Sequence, residues 1–185
     1  MKTLIKYTAK IQTGLFAKPS DKGEVVYLQS KHFDENGKLL GELHPDLMAN
    51  SISEKHLLKD GDVLFAAKGT KNFAAVYGNQ NPAAVASTSF FVLRPTDNKI
   101  LPEYLSWFLN HPETQKLIKD KARGTAIPSI RKTVLEDLEI SIPSIAKQRT
   151  VIQLSALVQK ENELRMSILQ QRKQLIEQQI INAIK

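Results

Sequence analysis

Two clusters of side chains could do chemistry, and both are cationic and polar. Lys68-Gly69-Thr70-Lys71-Asn72 sets two ammonium groups, a hydroxyl and an amide around a glycine. Lysines of this kind meet phosphate oxygens, while an asparagine amide or a guanidinium can read base edges. The second cluster runs from Lys116 to Lys132 and holds six cations against one carboxylate in seventeen residues. Lys119, Arg123, Thr125, Arg131 and Lys132 are its candidate DNA contacts, as Lys68, Thr70, Lys71 and Asn72 are those of the first. Each cluster also has a plain reading. The first fits an ordinary solvated loop, and the second fits the charged face of an amphipathic helix.

Catalytic patterns are not written in this chain. His32, His44, His56 and His111 are scattered without the i, i+4 spacing of a zinc-binding helix. Gly69-Thr70-Lys71 is not a phosphate-binding P-loop, and no serine sits in a nucleophile-elbow glycine pattern. Asn81-Pro82 begins like the Asn-Pro-Pro-aromatic motif of amino-methyltransferases, but Ala83 and Ala84 stand where the second proline and the ring belong. Pro45-Asp46 with Asp97-Asn98-Lys99 is a loose nuclease-like pairing of the kind that arises by chance among 26 basic residues. The expectation is a binding protein with no metal and no cofactor.

Composition narrows the partners. The chain has 185 residues, 42% of them hydrophobic, enough for one domain with a buried core plus an appendage. With no cysteine, disulfides, thiolate metal sites and cysteine nucleophiles drop out. No apolar run approaches the roughly 20 residues of a membrane span, and Met1 to Lys6 lacks the apolar core of a secretory signal. A cytoplasmic location is expected. The net charge of +7 invites a polyanion, although a simply basic enzyme would look the same. Residues 1–146 carry 19 Lys and Arg against 16 Asp and Glu, and residues 147–185 carry 7 against 3, so neither part is a basic tail.

The elements that must position these groups alternate. Leu4-Ile5 and Glu24 to Leu28 read as strands, and Asn36-Gly37 between apolar flanks reads as a hairpin turn. Asp60-Gly61 turns into a buried strand, Val63 to Ala67, and Ala84 to Arg94 reads as one further strand closed by Pro95. Pro102 can open a helix through Leu109, a second helix runs from Glu113 to about Ala122, and Gly124 is placed to cap it. Pro143 marks a boundary, giving a domain over 1–143 and a helical segment over 144–185. No repeat of the first part follows.

From Lys147 to Lys185 there is neither Gly nor Pro. Leu154, Leu157, Leu164, Ile168 and Leu175 fall at steps of three and four, a partial heptad seam interrupted by Glu161, Gln171 and Gln178. A helix of that length, about 58 Å at about 1.5 Å per residue, is far longer than one small domain needs. It calls for a partner helix. The alternative is a helix folded back on its own domain.

With these pieces in place the chain resembles the specificity (S) subunits of type I restriction-modification systems, as one target-recognition domain followed by one helical spacer. The likeness covers nearly the whole chain. It rests on Gln12-Thr13-Gly14, on Leu58-Lys59-Asp60-Gly61-Asp62-Val63-Leu64-Phe65, and on Phe91 to Arg94 followed by Tyr104-Leu105. The most specific block runs from Gly124-Thr125-Ala126-Ile127-Pro128 through Leu135, Leu138 and Ile140-Ser141-Ile142-Pro143 to Gln148 and Ile152. Where the family usually has Pro-Pro-Leu and then Glu-Gln, this chain has Pro143-Ser144-Ile145-Ala146-Lys147-Gln148.

The resemblance implies an α+β fold whose final helix pairs as an antiparallel coiled coil. It implies a non-catalytic reader of double-stranded DNA, with a methyltransferase subunit docked alongside and a restriction subunit joined through it. A full family member carries two recognition domains and two spacers, and this chain is long enough for one of each, as in a half-subunit. Pairing with an identical copy or another half-subunit is therefore expected, on a bipartite target with an unread gap. The competing expectations are a helical interaction scaffold that binds protein, and a nuclease using the acidic loops.

Overall fold

The computed structural model describes residues 2–20, 22–34, 36–69, 72–121 and 129–184. The chain divides into two compact units, Met1–Gln148 and Arg149–Lys185. In chain order the strands and helices are β1 (Lys2–Leu4), β2 (Ala9–Thr13), β3 (Val26–Leu28), β4 (Asp62–Ala66), β5 (Ala74–Tyr77), β6 (Ala84–Ala86), β7 (Phe90–Pro95), α1 (Pro102–Asn110), α2 (Pro112–Lys121), α3 (Lys132–Glu136), β8 (Glu139–Ser141) and α4 (Ile145–Ala183). The fold is mixed α/β with a long C-terminal helix, as the sequence leads one to expect.

The scaffold of the first unit is an antiparallel sheet ordered β2-β7-β4-β5. Every residue of β4, Asp62 to Ala66, is buried, because the strand lies inside the sheet with both faces covered. A second ladder pairs β3 with β6 in parallel, and β1 pairs with β8. Between the ladders, Phe33, Phe73 and Phe90 pack with ring centroids 5.4 to 6.0 Å apart, an aromatic centre worth about 0.5–1.5 kcal/mol per pair beyond its buried area.

Local chemistry explains where elements begin and end. Pro102 occupies the first turn of α1, where a missing N–H costs nothing, and Tyr104, Leu105 and Leu109 face the core. Ala74 at the start of the edge strand β5 does not present bare backbone. The Asn110 amide accepts from Ala74 N at 2.7 Å and donates to Ala74 O at 2.8 Å, and Ser106 Oγ donates to the same oxygen at 3.1 Å. One side chain thus takes the place of a further strand.

One sequence expectation is corrected. Ala84 to Arg94 is not one strand: Ser87 to Ser89 form a turn, closed by Phe90 N donating to Ser87 O at 2.9 Å, and β6 and β7 join different ladders. Three consecutive hydroxyl side chains favour the turn over a ladder. Asn36-Gly37 does turn tightly, with Gly37 at φ 80° and Asp34 Oδ1 accepting from the backbone of Asn36 and Lys38 at 2.8 Å each. Its flanks pair antiparallel at Phe33 and Leu39, with Asp34 N donating to Lys38 O and Leu40 N to His32 O at 2.8 Å each.

One buried ion pair ties the sheet. Asp62 is fully buried and accepts from Arg94 Nε at 2.7 Å, from its terminal nitrogen at 2.6 Å and from Lys59 N at 2.8 Å. The carboxylate holds the Arg94 guanidinium above its ordinary range. All of its charge is spent inside the sheet, so Asp62 and Arg94 hold β4 to β7.

α4 begins inside the first unit. Gln148 is fully buried in its first turn, where Oε1 accepts from Leu101 N at 2.9 Å and Nε2 donates to Lys99 O at 2.7 Å and Pro143 O at 2.9 Å. The first compact unit therefore includes the first turn of α4.

Candidate nucleic-acid interface

Backbone pairings at one end of the sheet bring the two cationic clusters together. β4 runs out through Ala67, whose N–H donates to Ser89 O at 2.8 Å and whose carbonyl accepts from Ile130 N at 2.8 Å. Lys68 forms an antiparallel bridge with Ser129. Lys68 and Arg131, some sixty residues apart in sequence, thus emerge from adjacent segments, and both are exposed.

Arg131 directly precedes α3, which packs on α2, and α2 carries the exposed Lys119. Lys132 opens α3, but its Nζ lies 3.2 Å from Glu136 Oε1 one turn on. An exposed pair of this spacing contributes only about 0.3–0.5 kcal/mol, so a phosphate could displace it. Asn72 supports the backbone, since its Nδ2 donates to Ala66 O at 2.8 Å, which holds the end of β4. Thr70, Lys71, Arg123, Thr125 and the cap position Gly124 lie outside the described residues.

Acidic groups do not gather. Asp46 Oδ1 accepts from Tyr27 N in β3 at 2.6 Å, and Asp97 Oδ1 accepts from Lys99 N at 2.9 Å in the turn after β7. Among the described residues no group of three His, Cys, Asp or Glu could hold a metal ion, and no helix is long and apolar enough to cross a membrane.

The second unit is the rest of α4. Leu154, Leu157, Leu164, Ile168 and Leu175 are all exposed, with Leu157 at 66%. Intrahelical pairs stiffen it, Arg165 with Glu161 at 2.6 Å and Lys173 with Glu177 at 3.9 Å. A second apolar set, Val158, Leu169, Ile176 and Ile180, is also exposed. At about 100° per residue it lies roughly 100° around the helix from the first. The heptad spacing of the sequence picks out the first seam and misses this one, though the steps of 7 and 4 from Leu169 to Ile180 mark it.

A sequence model of the type I restriction modification DNA specificity domain matches residues 8–185. The chain belongs to that family. The HindI specificity subunit of Haemophilus influenzae, a type I restriction enzyme component, is 29% identical over 125 residues, which is 65% of this chain and 27% of that protein. The HsdS subunit from Thermoanaerobacter tengcongensis superposes with a TM-score of 0.62 at 18% identity, over 87% of this chain and 37% of that one. The type I S subunit from M. genitalium gives 0.58 at 17% identity, over 88% and 40%. These specificity-domain structures share the fold, and this chain spans well under half the length of each of the three proteins.

Proposed function

We propose that the chain is a non-catalytic DNA-recognition subunit of a type I restriction-modification system that reads one half of a bipartite target. The observation that carries this reading is the pairing of Lys68 with Ser129, which gathers cations from distant segments at one end of a rigid sheet in a chain of the specificity-domain family. In this reading Lys68, Lys71, Lys119 and Lys132 meet phosphates, and Thr70, Asn72, Arg123, Thr125 and Arg131 are the candidates for base edges. Residues 1–143 are the recognition domain and 144–185 the spacer.

In this reading α4 pairs antiparallel with the same helix of another copy, or of a second half-subunit, through Leu154, Leu157, Leu164, Ile168 and Leu175. The set around Leu169 and Ile176 is left for a methyltransferase subunit, through which a restriction subunit joins. The complex acts on DNA in the cytoplasm. Mapping methylated adenines across the genome with and without this gene tests the proposal. Loss of one gapped motif is the expected result; an unchanged methylation map would sink it. A pure interaction scaffold predicts no such loss.

A further inference from the structure

Phe16 is left 76% exposed on a backbone that is fixed on both sides. Leu15 N donates to Ala86 O at 2.9 Å, and Leu15 bridges Ser87. The Tyr27 hydroxyl donates to Leu15 O at 3.0 Å and accepts from Ala17 N at 3.3 Å. Leu15 and Ala17 pack into a cluster with Val25, Tyr27, Leu47 and Val85, so the alternation in, out, in holds the ring of Phe16 outward. Gly14 makes this approach possible, since a Cβ there would sit 2.0 Å from Ser87 O. Single exposed apolar residues are common on protein surfaces and carry no meaning alone. A ring on a clamped backbone is different, because it reaches a partner with little further ordering.

Its place in the fold says what that partner is. The segment of Leu15 pairs with Ser87, the same turn pairs through Ser89 with Ala67, and Lys68 pairs with Ser129. Lys18 is exposed two residues further on. An apolar ring on a segment joined through these backbone pairings to those of Lys68 and Arg131 suits a duplex, whose charged backbones flank base edges that carry the thymine methyl group.

We propose that Phe16 is a base-contacting residue whose ring packs against a thymine methyl group in the major groove. The inference rests on the DNA-reading function proposed above. It adds an apolar contact to a site otherwise composed of cations and polar groups.

The test uses the full chain, native and as Phe16→Ala, to select duplexes from a randomised library, followed by affinity measurements on the native chain's selected motif. The expected variant motif matches the native one except at one or two adjacent positions that include a thymine, where preference falls about tenfold. Replacing that thymine by uracil, which lacks the methyl group, should weaken the native protein and leave the variant unaffected. The uracil arm does not depend on the variant's folding. Identical motifs from both proteins, a uniform loss with no position relaxed, or indifference of the native protein to uracil would each overturn the role of Phe16 while leaving DNA reading intact. If the native chain enriches no motif, the DNA-reading function itself fails, and this inference with it.

Discussion

At the level of single residues, the cations at the sheet end differ in what they are free to do. Lys132 already has a carboxylate 3.2 Å away, whereas Lys68 and Lys119 project from exposed positions on elements that the fold fixes. Each phosphate contact removed should lower the salt slope of binding by about 0.9, so Lys68→Gln with Lys119→Gln should flatten it by nearly two and weaken all sequences alike. Titrating binding against salt concentration reads this directly, and an unchanged slope would remove these lysines from the interface. His32 supplies a different handle. Its Nδ1 accepts from Gln29 N at 3.2 Å, and burial, then the neighbouring Lys31 charge, push its pKa below the ordinary 6.5. A histidine with a lowered folded pKa binds its proton more readily when unfolded, so its contribution is intact above about 6.5 and is lost as pH falls toward the folded value. Thermal melting of the native chain should therefore decline below about pH 6.5, and His32→Asn should show a shallower decline over the same range.

Among the elements, the helices are the most legible from sequence and the ladders the least. Pro102, Pro112 and the Gly- and Pro-free run after Pro143 mark helix starts by backbone chemistry that acts within a few residues. The break at Ser87 to Ser89 is hidden, because an apolar strand on either side of three hydroxyl residues reads the same whether or not the chain changes sheet. Both cationic clusters can be seen as clusters, yet their meeting depends on the Lys68 to Ser129 bridge, a long-range pairing with no local signature. Gln148 reads as part of a family motif, but nothing in its spacing shows that a polar side chain on an amphipathic helix is fully buried. Its amide donates to two carbonyls, so Gln148→Glu would set a carboxylate oxygen against Lys99 O and Pro143 O. That change should destabilise the first unit by about 3 kcal/mol or more, and Gln148→Met by about 1–3 kcal/mol through polar groups left unpaired. Urea unfolding should show that order; a midpoint unmoved by Gln148→Glu would mean that the first turn of α4 is not held by this amide.

For the molecule as a whole, the question is what covers α4. Beyond Gln148 the helix leaves every apolar residue of both stripes at least 47% exposed, and an isolated helix gains little stability from propensity alone. A helix with one apolar stripe needs one neighbour, while two stripes roughly 100° apart call for two. The polar Glu161, Gln171 and Gln178 interrupt the first stripe and are of the kind that fixes register and partner number at some cost in stability. The two surfaces should therefore separate by mutation. Leu157→Asp with Leu164→Asp should turn a self-associating chain into a monomer in analytical ultracentrifugation while the first unit keeps its thermal transition. Leu169→Asp with Ile176→Asp should leave self-association in place and abolish co-purification with the methyltransferase subunit. If the second pair of substitutions also yields a monomer, both stripes serve one interface between copies, and the second stripe is not the methyltransferase surface proposed above. If the first pair leaves association unchanged, the seam read from the heptad spacing is not the one that joins two recognition domains.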